Sequence, residues 1–93
     1  MANFSGMNFE SILGQVVPGF SRQSEAVNHV IQEVERLIGT VQTEWKGNDS
    51  TQFIQKWQSE YRRPLQQLAQ ELQQLSELAK RNAERQRDTS ASL

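Results

Sequence analysis

Apolar residues recur every three or four positions along most of this chain. Leu13, Val17, Phe20, Ser24, Val27, Ile31, Val34, Ile38, Val41 and Trp45 alternate in steps of four and three, and Ser24 is the one polar member. That is the stripe of a helix packed lengthwise on another helix. Gln32, Glu33, Glu35 and Arg36 fall on the opposite face, so both glutamates read as solvated surface. A second stripe follows: Phe53, Ile54, Trp57, Tyr61, Leu65, Leu68, Leu72, Leu75 and Ala79.

Prolines and glycines punctuate the two stripes. Pro18 removes a helical hydrogen bond and crowds the carbonyl four residues back. The spacing therefore predicts a short helical segment at 9–16, a break or kink at 17–19 with Ser21 as a possible cap, and a long helix from about 20 to 43. Gly47 is a helix stop, and Asp49 or Ser50 offers an oxygen to cap the next helix. With Asp49 as the cap, Gln52 stands where a capping box needs it. Residues 46–49 are thus a tight turn, and the second helix should run from about 50 to about 85. Pro64 lies inside that helix, and deprives the Glu60 carbonyl of its helical partner, which predicts a bend. Residues 1–8 and 88–93 read as flexible ends around a single unit at 9–87.

The expected fold is all-α: an antiparallel helix-turn-helix hairpin, with arms of roughly 36 and 54 Å at about 1.5 Å per residue. Two such arms do not enclose a core. The flanks of the aromatic and aliphatic rows stay exposed, and dimerisation into an elongated four-helix bundle is the natural way to cover them. The packing residues for hairpin and dimer are Phe20, Val27, Ile31, Val34, Ile38, Val41, Phe53, Ile54, Trp57, Tyr61, Leu65, Leu68 and Leu72.

Composition sharpens this picture mainly by exclusion. The chain has 93 residues, is 35% hydrophobic, and sets ten Lys and Arg against eleven Asp and Glu. So lean a chain gains its stability from local helices and from a partner. Near-neutral charge argues against nucleic acid as the main ligand. Lys80, Arg81, Arg85 and Arg87 are most simply favourable charges at a helix C-terminus. There is no cysteine, hence no disulfide and no thiolate metal site. His29 is the sole histidine and reads as a surface or boundary residue. No phosphate loop or nucleophile elbow is present. No enzyme, cofactor or metal is expected. Met1 to Gln15 lacks the basic and apolar regions of a secretory signal peptide, and no apolar run approaches a membrane span.

The tripeptide Trp45-Lys46-Gly47 stands at the centre of the chain, between two long amphipathic helices, with Phe53 and Trp57 opening the second. In this the sequence resembles the WXG hundred-residue family, the Esx-type, early-secreted-antigen-like substrates of bacterial type VII secretion. The resemblance covers nearly the whole chain. It implies a small dimeric protein, homodimeric or paired with a paralogous chain, that is a substrate, partner or adaptor of that system. It implies a cytoplasmic pool, export without a cleaved signal peptide through an ATPase of the FtsK/SpoIIIE type, and an association with virulence. It places secretion recognition at Trp45 and Gly47. Many exported members end in Tyr, three residues, then an acidic residue. The matching stretch here keeps Glu84 and Asp88 but has no Tyr, so it is a degenerate signal that leans on a partner's tail or on two copies of its own. Trp45 itself either closes the hairpin end as core or presents an edge to a partner. A cytosolic coiled-coil adaptor and a membrane-active secreted effector are the alternative functions.

Overall fold

A computed structural model describes residues 8–92, with side chains through Thr89. Two helical arms account for nearly all of it: 95% of the described residues are helical and none is in a strand. Arm α1 covers residues 9–44 and arm α2 residues 48–92. They lie antiparallel in a rod of 68 × 18 × 16 Å. The Asn8 side chain caps the start of α1 by accepting from the Ser11 N–H at 3.1 Å, a local signal of the usual N-cap kind.

Neither proline breaks its arm. Val17, Pro18 and Gly19 are all helical, and the expected interruption is replaced by a wide turn just upstream. Ile12–Val16 is π-helical, with the Val17 N–H donating to the Ile12 carbonyl. Trp57–Tyr61 repeats the device before Pro64, with the Arg62 N–H donating to the Trp57 carbonyl. A single wide turn inserts one residue without leaving the helix, and it relieves the crowding that a proline imposes on the turn before it. Ser21 therefore caps nothing; its hydroxyl donates across the hairpin to the Gln73 side-chain oxygen at 3.2 Å.

Two further expectations are corrected at the ends of α2. Its N-cap is Gly47, not Asp49 or Ser50, and no side chain makes the capping bond. The hydroxyls of Ser50 and Thr51 instead donate back to the Gly47 carbonyl, at 2.8 and 3.3 Å. At the other end, helix continues through Ser92, past the end near 85 that the spacing predicts. The expectation for residues 1–7 lies outside the described residues.

The seam between the arms is narrow and built partly of small side chains. On α1 it comprises Ser24, Ile31 and Ile38, all buried; on α2 it comprises Ser50, Trp57, Ala69, Ser76 and Ala83. Ala83 is fully covered, at 0% exposure. Ile31, Ile38 and Trp57 form the apolar centre, with Val27, Val34, Ile54 and Leu65 packed against it. Two serine hydroxyls bond directly to the opposite backbone: Ser24 to the Ala69 carbonyl at 2.6 Å, and Ser76 to the Val17 carbonyl at 2.7 Å. Ser24, the polar exception in the first stripe, thus fits the seam because it needs almost no room and its donor is satisfied.

Candidate functional site: the aromatic tip and the uncovered flank

The turn between the arms is three residues long, and its geometry follows from Gly47. Trp45 ends α1 in an extended conformation (φ -124°, ψ 105°), its N–H still donating to the Val41 carbonyl. Gly47 then takes φ 119°, ψ -176°, a region that only glycine occupies cheaply. This reversal sends the chain straight into α2. Its carbonyl collects three donors: the Ser50 hydroxyl and both the N–H and hydroxyl of Thr51. The Lys46 ammonium folds back on the Gln42 carbonyl at 3.2 Å. Every polar group that fixes this turn is therefore local.

Such a turn holds an aromatic pair in water. The rings of Trp45 and Phe53 lie 5.7 Å apart, inclined by 50°, within the range of favourable tilted contact. Trp45 is 43% exposed and Phe53 50% exposed. Trp45 thus does not sit in the core of the isolated hairpin; it forms a solvent-facing cap on its end.

The predicted packing residues divide into three groups. Ile31, Ile38 and Trp57 are buried. Phe20, Val27, Val34, Val41, Ile54, Leu65 and Leu72 are half-buried. Phe53, Tyr61 and Leu68 are exposed, as are Val30, Leu37, Leu75 and Leu78. Helix geometry places much of this exposed group together. At about 100° per residue, Val27, Val34 and Val41 lie to one side of the Ser24–Ile31–Ile38 line, with Val30 and Leu37 further round. Leu68, Leu72, Leu75 and Ala79 are displaced in the same rotational sense from the line of Ala69, Ser76 and Ala83. Because the arms are antiparallel, both displacements fall on one broad face of the rod.

The opposite face is polar. Ser21 and Gln73 bridge the arms there, and Asn28, Gln66 and Gln70 flank a shallow cleft floored by Ser24 and Ala69. Further towards the tip, Glu35 corrects a sequence expectation. It is not free surface: one carboxylate oxygen accepts from the Arg62 guanidinium at 2.7 Å and the other from the Trp57 indole N–H at 3.4 Å. Glu33 pairs only with its neighbour Arg36, at 3.2 Å, in the open. Sequence reasoning missed Glu35 because a helical stripe assigns a face but not the reach of a carboxylate at its margin.

Glu84 and Asp88 lie one helical turn apart near the far end of α2, Glu84 half-buried and Asp88 exposed. Asp88 pairs loosely with Arg87, at 3.8 Å. They stand at the opposite end of the rod from Trp45 and Gly47. His29 is exposed, and among the described residues no group of His, Asp or Glu is placed to hold a metal ion. No helix of the described residues is long and apolar enough to cross a membrane.

These features define a two-armed helical hairpin turning on Trp-X-Gly. A family model described as proteins of 100 residues with WXG, WXG100, matches residues 12–90. The chain belongs to this family. No curated protein matches it, and no solved structure does. As a WXG100 protein it is a small type VII secretion-associated protein, of a family of helical secretion substrates rather than enzymes. WXG100 proteins typically pair with other WXG proteins.

Proposed function

We propose that this WXG100 chain acts as a dimer, with its aliphatic face covered by a second copy, and that the dimer is a substrate or partner of a type VII secretion ATPase of the FtsK/SpoIIIE type. The observation that carries the reading is the uncovered flank: Val30, Leu37, Leu68 and Leu75 are exposed in the single hairpin although they continue its apolar stripes. Covering a half-exposed aliphatic side chain contributes on the order of 1 kcal/mol. A face of 68 by 18 Å offers roughly 1,200 Å² per copy, enough for a stable interface when two copies meet. The opposite face, lined by amides, has no comparable drive to be covered.

In this reading Trp45 and Gly47 form the recognition end, and Glu84 and Asp88 contribute a second, acidic element. An exposed aromatic on a rigid turn is well suited to anchor a partner, since it loses little conformational freedom on binding. The protein then passes from a cytoplasmic pool to the outside.

Light scattering after size exclusion tests the dimer. The purified chain is expected at twice 10.7 kDa, and Leu68→Ser with Leu75→Ser is expected to shift it to monomer while the helical spectrum persists. A parent chain that stays monomeric at high micromolar concentration refutes the homodimer and directs the search to a paralogous chain. For the tip, Trp45→Ala is expected to leave helicity intact and abolish appearance in the medium of a type VII-competent cell. Unchanged export removes Trp45 from the recognition surface.

A further inference from the structure

We propose that the wide turn at Trp57–Tyr61 is a phase adjuster, which rotates the tip end of α2 into register with the body of the hairpin. The buried positions of α2 carry the argument. Ala69, Ser76 and Ala83 recur every seven residues, and so do Ser50 and Trp57. Within each set the side chains share a line along the helix. Between the sets the interval from Trp57 to Ala69 is twelve residues. In an unbroken α-helix twelve residues leave a mismatch of about 120°. Trp57 would then point away from α1, on the aliphatic side.

The wide turn removes that mismatch. It lengthens one hydrogen-bonded ring, with the Arg62 N–H reaching the Trp57 carbonyl five residues back. One extra residue corresponds to about 100° of rotation, which leaves the two sets about 20° apart. Contacts on both sides of the turn agree with this phase. Ser24 and Ser76 bond across the seam in the body. Towards the tip, Glu35 of α1 accepts from Trp57 at the first residue of the turn and from Arg62 just after it. Pro64 limits where the turn can sit, because it has no N–H to restore an α-helical bond to the Glu60 carbonyl. The aromatic tip and the aliphatic flank are thereby held in a set rotational relation.

A deletion series tests this. Removing one residue inside the turn, together with Pro64→Ala, converts α2 into a continuous α-helix that keeps the phase. Ser59 is the residue to remove, being exposed and bonded only to the Gln55 carbonyl of its own helix. Removing the exposed Gln67, between turn and body, instead destroys the phase. In a Trp45→Phe background the emission reports Trp57 alone. The Ser59 deletion is expected to keep blue-shifted emission and a urea midpoint close to that of Pro64→Ala alone. The Gln67 deletion is expected to red-shift the emission and lower the midpoint clearly. Equal losses in the two deletions, or an unfolded Ser59 deletion beside a folded Pro64→Ala, overturn the proposal. So does red-shifted emission from Pro64→Ala by itself, since the turn is then a passive response to proline and not a requirement of the seam.

Discussion

Ala69→Leu probes the closeness of the two arms most directly. Ala69 is 3% exposed, and its carbonyl accepts the Ser24 hydroxyl at 2.6 Å. Leucine adds three carbons where the opposing arm leaves no space. Alanine and leucine are both strong helix formers, so helix propensity contributes almost nothing. Overpacking costs about 1–3 kcal/mol. If the arms part by even a small amount, the Ser24 bond is lost as well, at about 0.5–1.5 kcal/mol. The sum of about 2–4 kcal/mol is a large share of the roughly 5–14 kcal/mol expected for a chain of this length. With a urea dependence of about 1–2 kcal/mol per molar, the midpoint should fall on the order of 2 M. Helix content followed through a urea titration reads this, at two protein concentrations so that any dimer contribution separates out. Gln74→Leu, at an exposed position of the same arm, should shift the midpoint little. An Ala69→Leu chain as stable as the parent would refute the close seam: the arms would then be held by the aliphatic rows alone.

Gly47→Ala should lower stability by about 1–3 kcal/mol in the same titration, because a Cβ at φ 119° is strained even though nothing crowds it. Gly39→Ala should act oppositely, raising stability by about 0.5–1 kcal/mol, since Gly39 is helical with open space where the methyl goes. If both substitutions move the midpoint the same way, the special conformation of Gly47 is not what distinguishes them. Ser76→Ala should cost about 0.5–1.5 kcal/mol by removing the hydroxyl that donates across the seam to the Val17 carbonyl, and a neutral result would mean that this cross-arm bond adds nothing to the helical one. Arg62→Ala should cost no more than about 1 kcal/mol, and less at high salt, because both members of its pair with Glu35 are partly exposed; a salt-independent loss would point to packing instead of charge.

The alternation of apolar positions made the two arms and their turn legible, because a stripe at helical spacing has few other uses. What it hid is the seam. Leu68 and Leu75 dominate the second stripe by size, yet Ala69, Ser76 and Ala83 occupy the closest approach. A reading weighted by hydrophobicity favours the leucines, while two backbones draw together over side chains small enough to permit it. The prolines misled for a related reason. Pro18 and Pro64 are obstacles to the α-helical hydrogen bond, and a helix that widens by one residue accommodates them without ending. Gly47 displaced Asp49 and Ser50 as the cap because a turn of three residues needs a backbone conformation more than it needs a side-chain oxygen. The aromatic tip was legible as a motif, but not its exposure, which depends on how tightly that turn closes.

The thinness of the rod bears on the export proposed above. A globule of this length has a radius of gyration near 12 Å, whereas the hairpin has 20.3 Å and a cross-section of only 18 × 16 Å. Viewed end-on, a single hairpin is narrower than a sphere of the same mass. Two such rods laid face to face, as proposed, are still narrower end-on than a sphere of their combined mass, so a conduit that selects by diameter would favour the pair entering tip or tail first. For so slender a rod alignment matters more than width, and alignment is what a distinctive feature at one end of a long object can supply.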